Sequence, residues 1–134
     1  LRKTFYCVKL NQSAGRYLSA ANISKRPATL AQSEFDYALF FETEDLAASA
    51  IEAYLNSPNC KMSKDNRKFI SVEPYEFDYD MVTFPFTNKF ILVKTDKLKA
   101  SNGVFRSVYL QYGEFEHFVL LSTDVYHALT EKEK

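Results

Sequence analysis

The stretch TEDLAASAIEAYLNSP, residues 43–58, is the most strongly patterned segment of the chain. Leu46, Ala47, Ala50, Ile51, Tyr54 and Leu55 recur at helical spacing on one face. Thr43 is placed to cap the first free N–H groups, and Glu44 and Asp45 put negative charge where those groups favour it. Asn56, Ser57 and Pro58 then stop the run. The pattern predicts one amphipathic helix over 44–56. Such a helix buries its stripe only against a second layer.

The flanking sequence supplies that layer as strands. TFYCVKL (4–10) alternates, with Tyr6, Val8 and Leu10 on one face and Phe5, Cys7 and Lys9 on the other. GRYLSAANI offers a return strand, whereas Pro27 forbids a continuous central strand in the less regular segment that follows. ALFFE (38–42) is a short apolar strand candidate. After a basic loop at 59–68 come FISVEPYEFDYD and VTFPFTNKFILVKT, where Pro74 and Pro85 each remove a ladder donor and call for a break, a bulge or an edge. Residues 89–95, 104–112 and 115–121 read as an antiparallel meander. Thr123 is placed to cap a short C-terminal helix to about Leu129, with TEKEK fraying beyond it. The expected architecture is a single α+β domain over 1–134: a curved antiparallel or mixed sheet of about seven or eight strands with the 44–56 helix on one side.

Composition agrees with strands. Twelve Phe and nine Tyr, with no Trp, bring aromatics to 16%, and such rings suit half-buried pleated surfaces. Formal net charge is zero, which excludes a chain whose whole surface tracks nucleic acid. The neutrality hides blocks: residues 1–33 hold bases and no acid, and 34–60 hold acids and no base. Two such elements attract each other within a fold or meet a partner. No apolar run approaches the ~20 residues that span a bilayer, so no membrane association is expected. LRKTFYCVKL is too short and too quickly polar for a signal peptide, and its lack of an initiator Met suggests a processed product. Two cysteines do not make a disulfide framework, so the expected compartment is a reducing cytoplasm.

Most site chemistries fail on spacing. Gly15, Gly103 and Gly113 are isolated, so neither a P-loop nor G-x-G-x-x-G exists. Cys7, Cys60, His117 and His127 form no ligand spacing, and no metal or cofactor is expected. Cysteine–histidine catalysis needs only adjacency in space, and Cys60 lies beside Lys61 and Lys64, but no oxyanion hole or orienting residue accompanies it.

The segment VEPYEFDYD (72–80) sorts into two rows. Tyr75, Phe77 and Tyr79 form one row, and Glu76, Asp78 and Asp80 form the other. A calcium loop counted from Glu76 needs Gly at its sixth position and Glu at its twelfth, where Met81 and Thr87 stand. Same-face neighbours on a strand lie about 6.6–6.8 Å apart, a separation every acidic strand provides. The row is therefore either the wet side of a sheet or a negative ridge for a basic partner.

A strand ending near RYLS, the run DYALFFETEDLAASAIEAYL and the closing FISVEP resemble small uncharacterised accessory proteins of bacterial viruses, over roughly residues 3–75. The resemblance implies a non-catalytic protein that inhibits or modulates a host defence protein, and it carries no active residues. The expected function is thus protein binding without catalysis, with Tyr75, Glu76, Asp78, Tyr79 and Asp80 contacting a protein of basic surface. Two alternatives stand beside it. Aromatics interleaved with bases, LRKTFYCVK and GRYLS, suggest single-stranded nucleic acid. The cysteines and histidines suggest a small enzyme.

Overall fold

The computed structural model describes the backbone of residues 2–11, 15–23, 25, 27–57, 60, 62–83, 89–94 and 104–132, with side chains for these except 2, 3, 11, 64, 77–83, 89–94, 104 and 132. The strands are β1 (Arg2–Asn11), β2 (Arg16–Ala21), β3 (Thr29–Ser33), β4 (Ser71–Thr83), β5 (Lys89–Lys94), β6 (Val104–Tyr112) and β7 (Phe115–Ser122). The α-helices are α1 (Glu44–Leu55), α2 (Lys64–Arg67) and α3 (Thr123–Lys132), and a 3-10 turn covers Phe35–Tyr37. The fold is α+β. Every ladder is antiparallel, in the order β3-β2-β1-β4-β5-β6-β7.

The strands do not form one evenly bonded sheet. β1 and β4 pair continuously from Arg2↔Asp78 to Lys9↔Ser71, and β6 and β7 from Phe105↔Ser122 to Tyr112↔Phe115. By contrast, among the described residues β1 meets β2 at Lys9↔Tyr17 and Asn11↔Arg16, with an irregularity between them. Among the described residues, β5 meets β6 over Phe90–Leu92.

The segment expected as a strand at 38–42 is reduced to two isolated bridges. Phe40 N–H donates to Leu120 O at 3.0 Å and its carbonyl accepts from Leu120 N–H at 2.8 Å. Phe41 N–H donates to Tyr6 O at 2.7 Å and its carbonyl accepts from Tyr6 N–H at 2.9 Å. Successive residues of extended chain point their polar groups to opposite sides. Phe40 therefore serves β7 while Phe41 serves β1, and the run β1-β4-β5-β6-β7 is joined end to end by this short segment. Closure of this kind removes an exposed edge.

The alternation of β1 holds. Val8 and Leu10 join a cluster with Leu18, Leu30, Leu110 and Leu121 beneath α1, whose Ala47, Ala50 and Tyr54 are buried there. Phe5 and Cys7 join Tyr17, Phe40, Phe105 and Leu120 on the opposite side, with Phe35 and Tyr75 packed against them. α1 starts as its sequence requires, with Leu46 N–H donating to the Thr43 hydroxyl at 3.1 Å. Small alanines on the buried stripe let the helix approach the sheet closely.

Two expectations need correction. α3 runs to Lys132 rather than ending near Leu129. Within the helix the Thr130 hydroxyl donates to Tyr126 O at 2.9 Å, and the Arg106 guanidinium of β6 stacks 3.7 Å from the Tyr126 ring, a tertiary contact that holds the helix. Thr123 lies inside α3, and its buried hydroxyl makes no capping bond. Of the alternatives expected at Pro74, the structure takes the edge, since β4 is continuous over thirteen residues. Pairing to β5 begins only at Asp78, so among the described residues Pro74 lies where β4 has β1 on one side alone. Pro85 lies outside the described residues.

Candidate functional site: an acidic face on β1, β4 and α1

Glu76 is exposed on β4, and the ladder sets it opposite Thr4 of β1. Thr4 and Tyr6 in turn line a hollow of about 300 Å³ with Glu42, Thr43, Glu44 and Asp45. These positions fix each other. The Tyr6–Phe41 bridge brings the chain alongside β1, so Glu42 emerges at the β1 surface and α1 starts there. Glu42, Glu44 and Asp45 are all exposed. Glu44 and Asp45 also stabilise the helix N-terminus, a local role that leaves their charge facing water.

Tyr75 lies elsewhere. Its ring packs at 5.2 Å from Phe35 and 6.1 Å from Phe40, on the side away from α1. It is half-buried and not an exposed anchor, because its strand neighbour in register is the buried Phe5. Burial raises its phenol well above the usual tyrosine range, with Cys7 and Glu73 nearby adding to the shift. The side chains of Asp78, Tyr79 and Asp80 lie outside the described residues. Their backbone register is informative even so. Asp78 faces Arg2 of β1 and Lys94 of β5, so bases stand on both sides of the middle of the acidic row. Of the five residues expected to form the site, the described side chains therefore leave Glu76 on the acidic face, joined by Glu42, Glu44 and Asp45 from the helix start. Sequence reasoning used those three only as helix-start and charge-block signals. Their approach to β4 depends on a backbone bridge with no sequence signature.

The aromatic side carries a polar network that sequence reading missed. Tyr17 hydroxyl donates to Glu73 Oε1 at 3.4 Å, and Cys7 stands opposite Glu73 in the ladder. Burial pushes the Cys7 thiol up to about 12, with the Glu73 carboxylate adding to it. A thiol so held stays protonated and is a poor nucleophile. Cys60 packs partly buried against the α1-side cluster. His117 and His127 are exposed, against the Phe115 and Tyr126 rings respectively. No group of three metal-binding side chains occurs among the described residues. Of the aromatics expected to stack nucleobases, Phe5 is 4% exposed and Tyr17 is 8%, and Tyr6 is half-buried.

A larger cleft of about 790 Å³ lies at the far end of α1, between Glu52, Asn56, Thr29, Tyr112 and Glu114. Its lining also holds the hydroxyl residues Ser49 and Ser57. No helix among the described residues is long and apolar enough to cross a membrane. Comparison of the chain with known proteins finds no matching family model, no matching curated protein and no matching solved structure.

Proposed function

We propose that this chain is a non-catalytic protein-binding module, acting in the cytoplasm, whose acidic face receives a basic surface of its partner. One observation carries the reading. Glu42, Glu44 and Asp45 come from one part of the sequence and Glu76 from another, yet they adjoin on a single exposed face. Charge gathered in this way steers encounter and selects orientation more than it adds affinity. The resemblance of residues 3–75 to accessory proteins of bacterial viruses supports a host defence protein as the target, inhibited or modulated by docking.

Glu42→Lys with Glu76→Lys tests the reading without touching the helix. A protein captured by the immobilised chain from a bacterial lysate is identified, purified and titrated. The expected result is an affinity at least tenfold weaker for the double variant, with a shallower salt dependence. Unchanged affinity and unchanged salt dependence defeat the proposal.

A further inference from the structure

The two ends of α1 meet different surroundings. The helix is about 18 Å long at 1.5 Å per residue. Its start belongs to the acidic face, and its last turns form one wall of the cleft of about 790 Å³. A second wall is the β6–β7 hairpin, whose Tyr112↔Phe115 pair leaves Gly113 and Glu114 as a two-residue turn. Gly113 has a φ of 57°, which the first residue of such a turn requires and glycine adopts without strain.

Each wall carries an exposed carboxylate, Glu52 on α1 and Glu114 on the hairpin turn. Neither makes an ion pair or a side-chain hydrogen bond among the described residues, and among those residues no base lines the cleft. The helix adds to this negative potential. Its last turn holds no base, so nothing on the helix offsets the negative pole of its dipole, worth roughly half a charge. At the cap, Ser57 N–H donates to Tyr54 O at 3.0 Å instead of to the Ala53 carbonyl one residue earlier. The Ala53 carbonyl therefore accepts no hydrogen bond from the described backbone, and Ala53 lines the cleft. Between these polar groups the lining is apolar, supplied by Pro27, Ala28 and Ala53.

We infer that the cleft between the end of α1 and the β6–β7 turn is a binding site for a linear polyamine. Such a ligand repeats the character of the lining, with ammonium groups held apart by methylene spacers. One ammonium meets Glu52, another meets Glu114, and the spacers lie over the alanines and Pro27. The Ala53 carbonyl is an acceptor for a further N–H of the same ligand. The volume falls within the ~300–1,000 Å³ of small-molecule sites. A metal ion fits less well, because calcium and magnesium take six or more oxygens and no group of three metal-binding side chains occurs among the described residues. Both carboxylates stay in contact with water, so binding is weak and salt-sensitive. The site is separate from the acidic face and does not depend on it.

The test is titration of the isotope-labelled whole chain with spermidine in about 20 mM NaCl, where screening is weak, read by amide NMR shifts. The signals of Ala53, Ser57, Gly113 and Glu114 are expected to shift together and saturate. Glu52→Gln and Glu114→Gln are each expected to weaken binding about two- to fivefold, the range for an exposed ion pair, and the double variant to lose more than either. Propylamine, with one ammonium, is expected to bind more weakly than spermidine. Glu42→Lys with Glu76→Lys leaves the cleft shifts in place, which separates this proposal from the acidic face. Thermal melts of each variant establish that it is folded. The absence of saturable shifts overturns the inference, as does unchanged affinity in the folded Glu52→Gln, Glu114→Gln double variant. Shifts confined to Glu42, Glu44, Asp45 and Glu76 assign the polyamine to the acidic face and overturn it too. Equal affinity for propylamine, or the same shifts with magnesium chloride at the same concentration, shows that the cleft reads charge alone and overturns the choice of a polyamine.

Discussion

Phe40 and Phe41 are neighbours in the chain that belong to different cores. Phe41 enters the aliphatic cluster beneath α1 and bridges to β1; Phe40 enters the aromatic cluster on the opposite side and bridges to β7. The first core is largely Leu, Val and Ala, sealed by a helix. The second is built of rings and holds a thiol and a phenol beside Glu73. The contrast follows from the covering layer. An α-helix lies flat on its stripe and excludes water along its length, so aliphatic side chains suffice. A 3-10 turn of three residues covers less, and edge-to-face rings with satisfied polar tips fill the remainder.

The strongest way to break this comparison is truncation. Phe41→Ala and Phe40→Ala are each expected to cost about 3–5 kcal/mol in urea denaturation. Similar losses mark both cores as essential to one cooperative unit. A loss below about 1 kcal/mol at Phe40 shows the aromatic side to be a loosely packed accessory.

Alkali separates the two sides next. The folded Cys7 thiol titrates near 12 against 9.0 for the free group. Stability from this group is fully present below pH 9 and falls as pH rises, because the unfolded chain loses the proton first. By pH 10.5 the loss is about 2 kcal/mol, at 1.36 kcal/mol per unit. Tyr17, Tyr75 and, on the helix side, Tyr54 are also raised, chiefly by burial, and act with the same sign above pH 10. Cys7→Ala isolates the thiol: its unfolding free energy is expected to fall less between pH 9 and 10.5 than that of the parent.

The smallest effect tests the polar tip alone. Tyr17→Phe removes the bond to Glu73 and keeps the ring, with an expected cost of about 1 kcal/mol at pH 7. A neutral result shows that water replaces the hydroxyl at Glu73, leaving ring packing as the whole contribution.

Some of this was legible in the sequence. The Thr43 cap, the α1 stripe, the alternation of β1 and the meander of β5 to β7 rest on local capping, periodicity and strand–turn order, and the structure reproduces them. The acidic face was legible in part. Glu76 is exposed on β4 as its alternation implied. Tyr75, expected among the partner-contacting residues, is half-buried among rings, because strand alternation gives two faces without saying what covers each.

Residue order therefore determined the elements, their polarity and the exclusion of glycine-rich phosphate loops. Tertiary structure alone decided that α1 starts beside Glu76 and that Cys7 is sealed. It also joined β7 to β1 through Phe40 and Phe41. The physical reason is range. Helix and strand patterns repeat every few residues, whereas a two-residue bridge between distant strands depends on backbone groups that every residue carries alike.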